Sequence, residues 1–291
     1  EDRKLGWEEV QRARAIGTSD PRERLFIDAA AAFFENPASD DYWARIHRWA
    51  DATERAHEAF PQDVDATTFE ALALLATTPQ DRATRDNADH AAALLLPVLK
   101  AHPDHPGAMH YLVHADDVPG REHDNADVVR RYEQEAPDNP HALHMPTHVY
   151  TREGDWAGVV RGNLRAADAA LRYPAGDHGE YVWDEFPHAI EYLVYAYLQQ
   201  GDVANARKQR DRLLGTQHLQ PSFKTAFHLA SVQARIPLET RDWESAAQLH
   251  PRTPAWVDWD KYAWPEAIAQ FAHGLGCAHT GRKDEALAAI A

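Results

Sequence analysis

Four times along this chain the same kind of turn separates two helical segments: Gly154-Asp155-Trp156, Gly201-Asp202-Val203, Arg241-Asp242-Trp243 and Gly281-Arg282-Lys283. An alanine follows at a fixed offset in three of them (Ala206, Ala246 and Ala286), with Val159 at the matching place in the fourth. A small residue there lets the second helix of a pair pack closely on the first. Pro106, Pro140 and Pro187 each open a helix, with Asp104, Asp138 and Glu185 two residues earlier. Proline suits the first turn, where its missing N–H is not needed, and an acidic residue complements the helix dipole. Between these marks nearly every segment is rich in Ala, Leu, Arg and Glu at helical spacing, and alternating β-branched runs are absent. The whole chain therefore reads as paired helices.

Composition narrows the classes further. The 291 residues suit two ordinary domains or one extended array, and 44% hydrophobic content supplies a sizeable core. A formal charge of −16 repels phosphate backbones and gives no reason to expect binding to anionic membrane. Cys277 is the only cysteine, which rules out an intrachain disulfide and a thiolate metal cluster and fits a reducing cytoplasm. The longest apolar run, Ala91 to Val98, is broken by Pro97 and is far too short to span a bilayer. The charged opening Glu1-Asp2-Arg3-Lys4 does not read as a signal peptide, and the uncapped start suits a processed or trimmed form.

One histidine pair occurs twice. His110-Tyr-Leu-Val-His114 is followed 34 residues later by His144-Met-Pro-Thr-His148. Each pair is spaced i, i+4, so on a helix both imidazoles share a face. His188-x-x-Glu191 adds an i, i+3 pair of the same kind. Imidazole is the commonest protein ligand for transition metals. Pro146 lies between His144 and His148, beyond the first turn of the expected helix, where a proline costs about 3 kcal/mol or more and marks a functional site or a tolerated kink.

The 34-residue interval, the recurring turns and the helix-opening prolines together resemble the tetratricopeptide repeat superfamily. The likeness is good from about Pro103 to the end and looser before it. The resemblance implies a right-handed, all-α solenoid of antiparallel helix pairs with a concave ligand groove, here one array over residues 1–291. Residues 20–60 supply one further helix pair, and residues 64–100 another with an enlarged connection from Thr77 to Asp86. Residues 173–183 form a loop insertion, either a plain connection or a lid over the groove. The motifs His105-Pro-Gly-Ala-Met-His110 and His141-Ala-Leu-His144 also resemble a histidine-rich bacterial subgroup to which no activity attaches.

Placed in register, His110, His144 and Glu191 share one position. His114, His148, Tyr195 and Arg235 share a second, and His141, His188 and His228 a third. The resemblance implies that these positions face the groove. Adjacent helices lie about 8–10 Å apart, so their imidazoles can meet at Zn–N distances of about 2.0–2.1 Å. The expected metal ligands are His110, His114, His144, His148, His188 and Glu191, around one or two ions of Fe, Cu or Zn. Glu191 or Glu70 would serve as base, with Asp116 and Asp117 orienting an imidazole. His141, Tyr195, His228 and Arg235 would bind a small, polar or anionic substrate. Arg235 and Glu239 are spaced i, i+4, so Arg235 is either a substrate clamp or half of a structural salt bridge.

Three functions are compatible with these features. The first is a metalloenzyme, oxidative or hydrolytic. The second is a non-catalytic scaffold binding a peptide or protein partner in its groove. The third is metal storage or sensing. There is no phosphate-binding glycine loop, nucleophile elbow or dinucleotide fingerprint. Cys277 near His273 and His279 carries little weight as a nucleophile.

Overall fold

The computed structural model describes residues 2–39, 41–81 and 84–290. It is an all-α fold, 73% helical, in which adjacent helices pack in sequential pairs. None of the described helices is long and apolar enough to cross a membrane. The chain forms two compact units, residues 1–135 and 136–291.

The first unit comprises α1 (Asp2–Ile16), α2 (Pro21–Phe34), α3 (Tyr42–Ala59), α4 (Val64–Asp81), α5 (Thr84–Ala101), α6 (Pro106–Asp116) and α7 (Ala126–Glu135). Asp20 caps α2 by accepting from Arg22 N, and Asp41 caps α3 by accepting from Ala44 N. The tight packing of α2 on α3 depends on Arg45. This almost fully buried residue turns its guanidinium onto the carbonyls that end α2 and the loop beyond it. The enlarged connection expected from Thr77 to Asp86 is instead mostly helical. α4 runs through Pro79 to Asp81 and α5 starts at Thr84; Arg82 and Ala83 lie outside the described residues. Asn87 holds this junction. Its amide donates to Leu74 O at 3.0 Å and to the Thr77 and Thr78 hydroxyls at 3.3 and 3.2 Å.

The second unit comprises α8 (Pro140–His144), α9 (Pro146–Glu153), α10 (Trp156–Ala170), β1 (Pro174–Ala175), β2 (Tyr181–Val182), α11 (Glu185–Gln199), α12 (Val203–Gly215), α13 (Phe223–Thr240), α14 (Trp243–Ala247), a 3₁₀ turn (Trp259–Lys261), α15 (Ala263–His279) and α16 (Lys283–Ala288). The four recurring turns share one construction. Gly154, Gly201, Arg241 and Gly281 adopt positive φ (54° to 77°), which stops one helix. Asp155, Asp202 and Asp242 then accept from a backbone N–H three residues on and start the next. The fourth turn has Arg282 at that place and no side-chain cap. Ala206, Ala246 and Val159 are fully buried at the helix crossings, whereas Ala286 is half-buried in the last helix. Phe186, Ile190, Leu193, Leu213 and Leu229 fill the core between these helices.

Helices α14 and α15 approach so closely at Gly276 that a Cβ there would lie 2.3 Å from Ala247 N and 2.6 Å from Ala246 C. Both obstacles are backbone, so a side chain can be accommodated only by separating the helices. Gly276→Ala is expected to cost about 1–3 kcal/mol through this overpacking, against a gain of about 1 kcal/mol in helix propensity. Thermal unfolding followed by circular dichroism checks it. The melting temperature should fall by about 2–4 °C per kcal/mol of net loss, and an unchanged value would show that the helices separate at no cost.

The insertion at residues 173–183 corrects the all-helical reading. Pro174 pairs with Val182 and Ala175 with Tyr181 in a two-stranded antiparallel hairpin. Val182 N donates to His218 O at 2.7 Å, and Gln220 N donates to Val182 O at 2.9 Å. The hairpin is therefore fastened to the segment after α12. These residues lack helical spacing and, being held by backbone bonds rather than apolar burial, show no strand pattern in the sequence.

Candidate metal centre

Helix α8 begins with Asn139, whose side chain accepts from Ala142 N, and with Pro140 as its first residue. It ends after one turn, because Pro146 has no N–H to continue it, and α9 restarts at that proline. Pro146 is therefore a helix opener, not the costly interior proline expected. Met145 between the two helices keeps right-handed helical angles (φ −53°, ψ −44°). The i, i+4 relation of His144 and His148 survives the break, and their Nε2 atoms lie 2.9 Å apart. Helix α11 brings in His188, with its ring centroid 4.2 Å from that of His144. One nitrogen from each of His144, His148 and His188 lies within 4.8 Å of the others, and the three together could hold a metal ion.

The second nitrogen of each ring has its own partner. His144 Nδ1 lies 2.7 Å from Asn163 Oδ1. Asn163, fully buried on α10, is oriented by donating from Nδ2 to Val159 O (2.9 Å) and to the Thr147 hydroxyl (3.0 Å). Its Oδ1 must therefore accept, so His144 Nδ1 carries the proton and Nε2 keeps its lone pair. His148 Nδ1 lies 3.4 Å from Tyr192 Oη. His188 Nδ1 lies 3.0 Å from His228 Nε2, and His228 Nδ1 bonds the Glu191 carboxylate. Because a carboxylate only accepts, His228 Nδ1 donates to Glu191, while its Nε2 faces His188 Nδ1. When His228 Nε2 accepts that bond, His188 Nε2 keeps its lone pair.

Burial pushes His144 well below the ordinary histidine range, helped by His188 and His148 beside it. Burial, then His228 and Lys224, push His188 down to about 2. Both rings are neutral at ordinary pH, the form that binds metal. For Glu191, burial acts upward, yet the bonds from His228 and Arg235 hold its carboxyl below the usual range. Glu191 Oε1 accepts from Arg235 Nη2 at 3.3 Å, and Arg235 Nη1 donates to Glu239 Oε1 at 3.1 Å.

The other expected site residues are placed as follows. His110 and His114 form a half-buried pair on α6 in the first unit, with ring centroids 4.9 Å apart and Tyr132 stacked on His110. Glu191 faces His228 and Arg235 and is not among the grouped metal-ligating atoms. Glu70 belongs to α4 in the first unit, where it bonds His57 Nδ1. His141 Nδ1 lies 3.6 Å from Glu185 Oε2, and Lys224 bonds Glu185 from α13. Tyr195 lies under the Arg235 guanidinium, 4.8 Å from ring centroid to Cζ. Asp116 is not an imidazole's acceptor. Burial pushes its carboxyl up to about 6, and its oxygens accept from Asn125 (3.0 and 3.1 Å) and Arg121 (3.1 Å). Asn163 and Tyr192 carry no sequence signal that marks them as parts of the site.

A cavity of about 440 Å³ opens beside these rings in the second unit. His188, Glu191, Tyr192, Tyr195, Phe227 and Arg235 line it. His273, Cys277 and Glu285 form another group able to hold an ion, with one sulfur among its ligand atoms. Burial raises the Cys277 thiol above its ordinary value, consistent with an inert side chain rather than a nucleophile. No protein-family model and no curated protein matches this chain. The chemistry of the site therefore has to be read from the side chains themselves.

Proposed function

We propose that this chain is a metal-dependent enzyme with a tetratricopeptide-like helical array. Its ion is held by His144, His148 and His188, and it acts on a small molecule bound in the adjoining cavity. The observation that carries this reading is the pairing of lone pairs with supports. Three imidazoles converge, and each has its remote nitrogen held by a separate group. Metal-binding histidines need such outer partners to fix the tautomer and the ring plane. A histidine cluster kept only for solubility has no use for them.

Three protein ligands and an open position are the pattern of a catalytic site, whereas structural sites are closed by four. An imidazole set suits Zn, Cu or Fe. When bound, the ion supplies Lewis acidity or, if redox-active, electron transfer. The protein's part is positional. Asn163 keeps the His144 proton on Nδ1, and the Glu191–His228 relay does the same for His188. The proton between the facing Nε2 atoms of His144 and His148 would have to shift to His148 Nδ1, beside Tyr192 Oη, to free that Nε2 for an ion. Glu191 acts here as a positioning residue and not as a ligand or base.

Elemental analysis of the purified protein tests the proposal. The expected result is about one transition ion per chain, lost in the His144→Ala/His188→Ala variant while circular dichroism stays helical. Metal content unaltered by that double substitution would end this reading.

A further inference from the structure

The cavity beside His188 also carries information about what it receives. Arg235, the one guanidinium on its wall, faces two carboxylates, Glu191 at 3.3 Å and Glu239 at 3.1 Å. One guanidinium shared by two carboxylates leaves an entering carboxylate or phosphate no surplus positive charge at that wall. The anionic substrate expected from the sequence is therefore poorly served. Besides Thr151 and the imidazoles of His188 and His228, what remains for contact is aromatic: Tyr192, Tyr195 and Phe227.

The aromatic surface does not stop at the cavity. Phe227 packs against Trp264 with ring centroids 5.5 Å apart, and Phe223 packs against Trp264 at 5.8 Å. Trp264 and Phe223 are nonetheless 64% and 46% exposed. Large aromatics left in water next to a cavity, and continuous with its wall, mark a binding surface. A rim of this kind suits a ligand longer than the cavity, with one ring inside and a second apolar group lying over Trp264.

We propose that the cavity and this shelf bind an uncharged aromatic molecule of two ring lengths that carries a hydroxyl-type oxygen at the buried end. Tyr192, His188 and His228 serve the oxygen; Tyr195 and Phe227 enclose the first ring; Phe223 and Trp264 carry the second. The inference rests on reading this cavity as the substrate site, but it does not require the ion.

Calorimetric titration with three probes tests it: biphenyl-4-methanol, biphenyl-4-carboxylate and benzyl alcohol. In chelator-treated protein the biphenyl alcohol should bind about tenfold more tightly than its carboxylate. In protein as purified, Trp264→Ala should weaken the biphenyl alcohol about five- to tenfold and leave benzyl alcohol unchanged. Glu239→Gln should narrow the gap between alcohol and carboxylate by releasing part of the Arg235 charge. Carboxylate binding tightest in the chelated protein overturns the charge argument. Failure of Trp264→Ala to separate the long probe from the short one overturns the shelf. A dimer in light scattering that is abolished by Trp264→Ala would overturn it too, by showing that a second copy covers these rings. The titrations are repeated in His144→Ala, whose ring is fully buried and does not line the cavity: probe binding retained there while metal is lost separates this inference from the metal reading, and absence of probe binding in wild type sinks the inference while leaving metal content to be judged alone.

Discussion

Arg45→Met is expected to destabilise the first unit by on the order of 3 kcal/mol or more, the largest loss foreseen for any single substitution outside the metal site. Arg45 is 1% exposed and has four carbonyl partners. Nη1 donates to Phe33 O (2.8 Å) and Glu35 O (3.1 Å), and Nη2 donates to Ser39 O (2.8 Å) and Asn36 O. These carbonyls close the end of α2 and the turn beyond, where the helix dipole is negative and a cation is favoured. Methionine fills similar volume and donates nothing, so all four carbonyls lose this donor at once. Arg45→Lys keeps the charge, but its compact ammonium cannot reproduce a planar fork spread over four oxygens, and an intermediate loss is expected. Urea unfolding measures the total. Hydrogen exchange should place the lost protection in α2 and α3. An unchanged urea midpoint for Arg45→Met would mean that water replaces the guanidinium at no cost.

Asn163→Leu should lower metal affinity about 10- to 100-fold. The fully buried Asn163 makes three bonds that no other side chain duplicates: it accepts from His144 Nδ1 and donates to Thr147 Oγ1 and Val159 O. Leucine is close in size and keeps the packing. It frees His144 to move its proton to Nε2 or to rotate, and it removes the side-chain bonds to Thr147 Oγ1 and Val159 O, so a stability loss of about 1–3 kcal/mol accompanies the change in affinity. Asn163→Asp restores the acceptor for His144 without restoring the donor. It should regain metal affinity while remaining less stable than wild type. That split distinguishes support of the ring from general packing. Competition with a chromophoric chelator gives the affinities. Equal affinities in wild type and Asn163→Leu would remove Asn163 from the site and weaken the assignment of His144 as a ligand.

The parts of this molecule that were legible in its sequence are those decided within one or two helical turns. Gly154-Asp155 and Gly201-Asp202 stop one helix and start the next through bonds no longer than three or four residues. The i, i+4 spacing of His144 and His148 brought their rings together even across the break at Met145. The errors share a different cause. Asp116 stands two residues after His114, yet its partners are Arg121 and Asn125 farther along the chain. Glu191 shares a helix face with His188, which made it look like a ligand. His228, 37 residues away on α13, takes its carboxylate instead. The stretch from Thr77 to Asp86 has weak helical marks, and the cross-helix bonds of Asn87 to Leu74 and Thr78 let helix run through most of it.

By itself the sequence determined that the chain is helical, where the four recurring turns end one helix and start the next, and which imidazoles share a face. Those properties follow from backbone conformation and from a period of 3.6 residues, and both are local. Only the tertiary structure decided that His188 joins His144 and His148, that Asn163 and the Glu191–His228 relay hold their remote nitrogens, and that Arg235 is already neutralised. These outcomes depend on which residue of a neighbouring helix fills a space of a few ångströms. Helical spacing names the face from which a side chain projects and is silent about what meets it there.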